Sequence, residues 1–295
     1  MTMRAVEFFS GIGAFSQAVR SSPIEVVAAF DQSEHANSAF LNNFGHKPSV
    51  LNLDSIKADR IPPSDLWWLS PPCTPFTRRG QRLDIDDPRA RPLLNLIDFI
   101  PVFRPANLIL ENVEGFERGK VFERLEAMLL QNRYRIKLYR LCSTAFGVPM
   151  RRPRLFLAAS LDMDPLELDI SPYRDTRILD DYLRDDQDEA LILPNELVER
   201  YSQVLNIVNR NDQAVKLICF TRGYYQCRNA SGSLIRLSDG RVRLVSAEEI
   251  LSLLGFDSDY HFPPSQSLAI KLKLAGNSVD VRAVKSLLDC LRVFQ

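Results

Sequence analysis

The sequence predicts an α/β fold: a mostly parallel sheet with helices on both faces and a small domain inserted late in the chain. Two observations carry this. Short apolar runs alternate with amphipathic stretches through the first 160 residues, as in βαβ units. The alternation stops after Ser160 in an acid-rich stretch, and helical periodicity returns only from Ser246.

Seven runs are expected as strands: Arg4–Phe9, Glu25–Asp31, Pro48–Leu53, Asp65–Ser70, Asn107–Val113, Arg135–Leu141 and Arg154–Ser160. Strands that alternate with helices imply a parallel sheet covered on both faces. Helical patterns fall between them at Phe15–Ser21, Glu34–Phe44, Pro92–Phe103 and Val121–Gln131. Residues 161–200 hold 13 acids and 4 arginines, which reads as an exposed, loop-rich opening to the insertion. Residues 201–245 read as a small mixed region. Three helices follow, at Ala247–Leu254, Gln266–Leu274 and Val279–Phe294, the first opened by a Ser246–Glu249 capping box. The expected division is therefore 1–160, the sheet-forming segment; 161–245, an insertion; and 246–295, helices returning to the first.

Composition narrows the function. The 295 residues are 45% hydrophobic and 25% charged, an ordinary globular mix, and 37 basic residues balance 37 acidic ones. A polybasic, histone-like protein is excluded, but a nucleic-acid partner is not, because charge is segregated: residues 118–154 hold 10 Lys or Arg against 2 Glu. No apolar run reaches the length of a membrane span. Glu7 interrupts the apolar N-terminus, so no signal peptide is expected. Five cysteines without C-x-x-C spacing, and three scattered histidines, point to a reducing compartment and to no metal site. A cytoplasmic monomer is the expected setting, or a nuclear one in a eukaryote.

In such sheets ligands bind beyond the carboxyl ends of the strands, which selects the loops after Phe9, Asp31, Leu53, Ser70 and Val113. The first carries Phe9-Ser10-Gly11-Ile12-Gly13 and enters a helix. Two glycines let backbone approach a ligand and aim amide donors at it. Asp31 closes the second strand, 20 residues after Gly11, where a carboxylate can accept both hydroxyls of a ribose. The third glycine of a dinucleotide fingerprint is missing, which suits an adenosine cofactor without pyrophosphate, such as S-adenosylmethionine. Taken alone, G-x-G is equally a tight structural turn.

The chemical residues come later. Ser70-Pro71-Pro72-Cys73-Thr74-Pro75 stiffens a loop around one thiol by fixing φ at its prolines. The alternative for Cys73 is a small packed core residue. Glu111 follows Leu108–Leu110 and could carry a proton, or could be a capping or ion-paired acid. Arg152 and Arg154 would share one strand face by alternation. Gly276-Asn277-Ser278-Val279 is a compact turn before the last helix.

In this order the five motifs resemble those of the cytosine-5 methyltransferase family. The resemblance spans nearly the whole chain. It implies an S-adenosylmethionine-dependent, Rossmann-like sheet with a small inserted target-recognition domain, and base flipping. By that resemblance Cys73 is the nucleophile that adds to carbon 6 of cytosine. Glu111 holds and protonates ring nitrogen 3, and Arg152 and Arg154 steady the base and the loop. The methyl donor, leaving as S-adenosyl-L-homocysteine, falls to Phe9, Ser10, Gly11, Ile12, Gly13, Asp31, Gln32, Asn52, Leu53, Pro72, Asn277 and Val279. Asn52 stands where the family usually has an acid, Thr74 where a Gln commonly follows the cysteine, and Met150 where a Gln precedes the arginines.

Cys219-Phe220-Thr221-Arg222-Gly223-Tyr224 resembles a signature of the family's tRNA-aspartate branch, as does Pro75-Phe76-Thr77-Arg78. Cys219 could equally be a packed core residue. The expected substrate contacts are Pro72, Asn112, Arg78, Arg79, Cys219, Phe220, Thr221, Arg222 and Tyr224, with Arg228, Arg236, Arg241 and Arg243 clustered nearby. An anticodon-loop cytosine of tRNA is the favoured target. Duplex DNA and a non-catalytic nucleic-acid-binding role are the alternatives, the last disfavoured by the intact Cys73 and Glu111.

Overall fold

The computed structural model describes residues 2–73, 84–184, 188–210, 212, 216–227 and 231–293. The chain divides into two compact units. The first comprises Met1–Leu141, Pro153–Asp169 and Val284–Gln295, and the second Cys142–Arg152 and Ile170–Ala283. These units are not coextensive with the expected segments: residues 246–283 group with the second unit and only 284–295 with the first.

The first unit is a six-stranded sheet. In chain order its elements are β1 (Met3–Phe8), α1 (Ala14–Val19), β2 (Ile24–Phe30), α2 (Glu34–Phe44), β3 (Leu66–Leu69), α3 (Arg91–Phe103), β4 (Asn107–Asn112), α4 (Lys120–Gln131), β5 (Arg135–Cys142) and β6 (Pro153–Ser160). The strand order is β2-β1-β3-β4-β6-β5. β1 pairs parallel with β2 and β3, β3 pairs parallel with β4, and β6 runs antiparallel to β4. The chain leaves β1 toward β2 and later returns to β1's other side as β3, so a topological switch point lies between β1 and β3. In open sheets the loops at the carboxyl ends of strands flanking such a point diverge, and ligands bind between them.

The central strands are apolar on both sides because both are covered. Val6, Phe8, Trp67, Leu69, Leu108 and Leu110 pack with Leu93, Leu96 and Ile97 of α3 and with Val121, Leu125 and Leu129 of α4. Trp68, one residue out of phase with Trp67, stacks on Phe15 of α1 with centroids 5.5 Å apart. Both tryptophans are buried. Helix α2 starts where Ser33 accepts the Ala36 N–H and ends at Gly45, whose positive φ of 76° makes a left-handed cap.

One expected strand is absent. Between Pro48 and Leu53 only Ser49 pairs, as an isolated bridge to Phe30. Pro48 has no N–H for a ladder. Asn52 then turns the chain, its side-chain oxygen accepting from the Asp54 N–H at 3.3 Å.

The second unit holds α5 (Leu179–Tyr182), α6 (Asn195–Arg200), a three-stranded sheet of β7 (Ile207–Asn209), β8 (Leu234–Arg236) and β9 (Val242–Leu244), then α7 (Ala247–Leu253) and α8 (Leu268–Asn277). Helix α9 (Val281–Cys290) begins in this unit and ends in the first. The Ser246–Glu249 capping box forms. Glu249 is also clasped by Arg243 through two bonds of 2.7 and 2.8 Å, both side chains being buried. No helix among the described residues is long and apolar enough to cross a membrane.

Candidate active site

At the carboxyl end of β1 the chain enters a strained turn. Phe9 has φ 56°, unusual for a bulky residue, and Gly11 and Gly13 follow at 54° and 84°. The two glycines serve different purposes. A Cβ on Gly13 would lie 2.4 Å from the Phe44 ring, so that glycine admits α2. A Cβ on Gly11 would meet nothing within 4 Å, so Gly11 fronts open space. Beneath it the Ser10 hydroxyl is buried and has no hydrogen-bond partner among the described residues. Ile12 is buried.

Asp31 meets this turn directly. One carboxylate oxygen accepts the Gly11 N–H at 2.8 Å and the other the Ser33 N–H at 2.7 Å. Burial raises its pKa above the usual aspartate value, and the two amide donors oppose that rise. Each carboxylate oxygen retains acceptor capacity beyond its one amide bond. Beyond Asp31, the exposed Gln32 amide donates to Asn52 at 2.7 Å. Leu53 is packed in the core and its carbonyl accepts from the Asn95 amide at 2.8 Å, which leaves its backbone N–H. Open space at Gly11, an unpartnered serine hydroxyl and a strand-end carboxylate together fit the adenosine and amino-acid portions of S-adenosylmethionine.

The cysteine loop is tied to the same turn. The Ser70 hydroxyl donates to the Phe9 carbonyl at 2.9 Å, and the Ser70 N–H to the Phe8 carbonyl at 3.3 Å. Pro71 is buried, Pro72 exposed and Cys73 half-buried. Asn112 is buried, and its amide donates to the Pro71 carbonyl at 3.3 Å. Asn112 thus orients the cysteine loop instead of facing solvent. Its neighbour Glu111, also buried, pairs with Arg154 at 3.0 Å. The first unit therefore brings together Phe9–Gly13, Asp31, Pro71–Cys73, Glu111, Asn112 and Arg154.

Several expected residues lie elsewhere. β6 begins at Pro153, so strand alternation does not extend to Arg152, and the two arginines take different partners. Arg152 is buried in the second unit, donating to the Phe220 carbonyl at 2.8 Å, to Cys219 Sγ at 3.3 Å and to the Gly276 and Ser278 carbonyls. Phe220 and Tyr224 are packed edge to face, 4.8 Å apart. Both are buried, and the Tyr224 hydroxyl bonds Ser233 and Val245. Neither can stack on a base; an aromatic pair in a small unit is worth more as core. Thr221 and Arg222 are exposed, and Cys219 half-buried. Asn277 is exposed, while Val279 is mostly buried.

The expected arginine cluster also dissolves. Arg243 is buried against Glu249, and Arg241 pairs with Asp239 and Glu189, leaving Arg222 and Arg236 exposed. Arg78, Arg79, Thr74 and Arg228 lie outside the described residues. Met150 is fully buried, bridging in parallel to Leu217, which accounts for an apolar residue at that position.

Sequence reasoning missed Glu7. This acid is buried under the Gly11–Gly13 turn, and the Ser16 hydroxyl donates to it at 2.5 Å. Burial pushes its pKa up to about 8. The signal was visible: one carboxylate inside an otherwise apolar strand. No group of three or more potential metal ligands occurs among the described residues.

Comparison with known proteins identifies the family. Residues 3–292 match the family model described as C-5 cytosine-specific DNA methylase. A Bos taurus protein named tRNA (cytosine(38)-C(5))-methyltransferase is 27% identical, the match covering 98% of this chain and 99% of the relative. A Schizosaccharomyces pombe protein of the same name is also 27% identical, over 98% and 96% of the two chains. The solved structure of the Entamoeba histolytica methyltransferase EhMeth superposes with a TM-score of 0.90 at 26% identity, over 99% and 98% of the two chains.

Proposed function

The chain belongs to the C-5 cytosine-specific DNA methylase family and is a cytosine-5 methyltransferase; from that premise we propose that its substrate is tRNA, at an anticodon-loop cytosine of a tRNA-aspartate type. The family depends on S-adenosylmethionine. The observation that carries the reading is the junction of three loops at the switch point, where Ser70 binds the Phe9 carbonyl and Asn112 the Pro71 carbonyl. That junction supports one site for cofactor, thiol and acid.

Phe9, the open face at Gly11 and the Asp31 carboxylate would hold the donor, with Gln32, Asn52 and the Leu53 backbone beside them. When bound there, S-adenosylmethionine supplies an electrophilic methyl group. The chain's own residues prepare the base. Cys73 Sγ, as thiolate, adds at carbon 6 of the ring and shifts electron density onto carbon 5. Glu111, held by Arg154, hydrogen-bonds and protonates ring nitrogen 3 as charge builds there. Carbon 5 would then take the methyl group, S-adenosylhomocysteine being the leaving group. Solvent water accepts the carbon 5 proton as the bond from carbon 6 to Cys73 breaks and the thiolate departs, and nitrogen 3 returns its proton to Glu111. Of the two arginines, the ion pair with Glu111 supports Arg154 for this role.

The tRNA assignment is supported by two full-length relatives that carry that name and by Cys219-Phe220-Thr221-Arg222 in this chain. A loop base is already partly unstacked, so extruding it costs less than extruding one from a duplex. The test is competition between tRNA and cytosine-containing duplex DNA at equal nucleotide concentration, with methyl-tritiated donor. Label should enter tRNA predominantly, and Cys73→Ala should incorporate none. Label entering duplex DNA at least as fast, in a fixed short motif, would replace the tRNA reading with the DNA one.

A further inference from the structure

Two exposed amides of the first unit meet just past the end of β2, Gln32 from that strand's loop and Asn52 from the turn that follows Pro48. Gln32 Nε2 donates to Asn52 Oδ1 at 2.7 Å, and the Asp54 N–H donates to the same oxygen at 3.3 Å. A backbone N–H can only donate, so it fixes which end of the Asn52 amide faces it. The second contact on that oxygen must then come from the Gln32 nitrogen. Both lone pairs of Asn52 Oδ1 are thereby taken, and Asn52 is left with donors only. Gln32 Oε1 is the acceptor that remains to the pair, with no hydrogen-bond partner among the described residues.

The backbone on either side of the pair is held. The Asp31 N–H donates to the Ser49 carbonyl at 3.1 Å, and the Ser49 N–H to the Ala29 carbonyl at 2.8 Å. Asn37 donates to the Asp31 carbonyl at 2.8 Å. Leu53 is buried, and its carbonyl accepts from Asn95. Two polar side chains on fixed backbone, already bonded to each other, lose less freedom on meeting a ligand than two free ones. Gln32 directly follows Asp31, the carboxylate assigned to the ribose, and a nucleoside base is joined directly to that sugar. The 6-amino group of adenine is a donor and needs an acceptor. A carboxylate at residue 52 would offer acceptors; the amide that stands there has its oxygen occupied.

We propose that Gln32 Oε1 accepts a hydrogen bond from the 6-amino group of the methyl donor's adenine, and that Asn52 is a positioning residue that holds the Gln32 amide in the required sense. Specificity for a 6-aminopurine then lies with residue 32 and not with residue 52, and with a neutral acceptor instead of a charged one. The inference rests on the reading that gives Asp31 to the donor's ribose. It adds to that reading which atom selects the base.

The test is calorimetric titration of the full chain with S-adenosylhomocysteine and with the same compound carrying hydrogen in place of the 6-amino group. One neutral hydrogen bond is worth about two- to tenfold in affinity, so wild-type protein should prefer the amino compound by that factor. Gln32→Leu should abolish the preference by weakening the amino compound alone. Asn52→Ala keeps Gln32 but no longer holds it, and should lower the preference below the wild-type value. General damage to the pocket would weaken both compounds alike and leave their ratio unmoved. Both side chains are exposed, so each variant should still melt cooperatively by circular dichroism. Wild-type protein that binds both compounds equally overturns the proposal while leaving the proposed function standing. So does a preference kept in full by Gln32→Leu, and one kept in full by Asn52→Ala removes the positioning role. If wild-type protein binds neither compound, the proposed function itself fails, and this inference with it.

Discussion

Asp31 does two things with one carboxylate. It closes the turn by accepting the Gly11 N–H, and in the proposed reading its remaining lone pairs accept from a ribose. A charge-assisted hydrogen bond of this kind is worth about 1.5–3 kcal/mol, or about ten- to hundredfold in affinity. Asp31→Ala should weaken S-adenosylmethionine binding by that order in calorimetry, and Asp31→Asn by less, because the amide keeps an acceptor for Gly11. Unchanged affinity in both variants would place the donor elsewhere. Glu111 and Asn112 show how adjacent residues divide labour. The acid is held by Arg154, and the amide is spent on the Pro71 carbonyl, holding the cysteine loop still.

At the scale of one element, α1 is a six-residue helix whose N-cap, Gly13, has no side chain to cap it. The cap comes from β1 instead: Glu7 accepts from the Ser16 hydroxyl and from the backbone amides of Phe15 and Ser16. Its pKa, raised by burial to about 8 from the ordinary 4.5, fixes the sign of a pH effect. Between those values the unfolded chain has lost the proton and the folded chain keeps it. Stability from this group is thus fully present below about pH 4.5 and lost as pH rises to about 8. The slope is at most about 1.4 kcal/mol per pH unit. Melting temperature measured from pH 5 to 8 should fall less steeply for Glu7→Gln than for wild type. Parallel curves would show that Glu7 titrates normally.

Over the whole molecule, charge is arranged so that much of it is already neutralised. Within the basic stretch, Arg124, Arg135, Lys137 and Arg140 pair with Asp98, Asp164, Glu167 and Glu117. Exposed pairs like these add little stability, but they remove cations from an anionic ligand. Arg118 and Lys120, just beyond the Glu111 strand, are exposed and form no ion pair among the described residues. Arg118→Gln with Lys120→Gln should weaken tRNA binding. It should also flatten the dependence of log K on log salt by up to about 1.4, about 0.7 for each lost phosphate contact on a single strand. A titration series across salt in which the slope is unchanged would move the nucleic acid to another face.

The sequence by itself determined the sheet and the order of the strand-end loops that carry Gly11, Asp31, Cys73 and Glu111. These are local matters: apolar runs, glycines at positive φ, prolines around Cys73 and a lone acid after an apolar strand are read within a few residues. It even displayed Glu7, whose meaning needed burial to be seen. What only the tertiary structure decided is which polar groups remain available. Asn112, Arg152, Tyr224 and Arg243 have the chemistry of ligand contacts, yet each is consumed by partners 41, 124, 21 and 59 residues away respectively. A buried donor must be satisfied wherever it lands, and where it lands depends on long-range packing that no window of sequence contains. Pro48–Leu53 failed as a strand for the complementary reason. Its hydrophobicity was adequate, but a ladder also needs free N–H groups and an unturned chain, and Pro48 and Asn52 supplied neither.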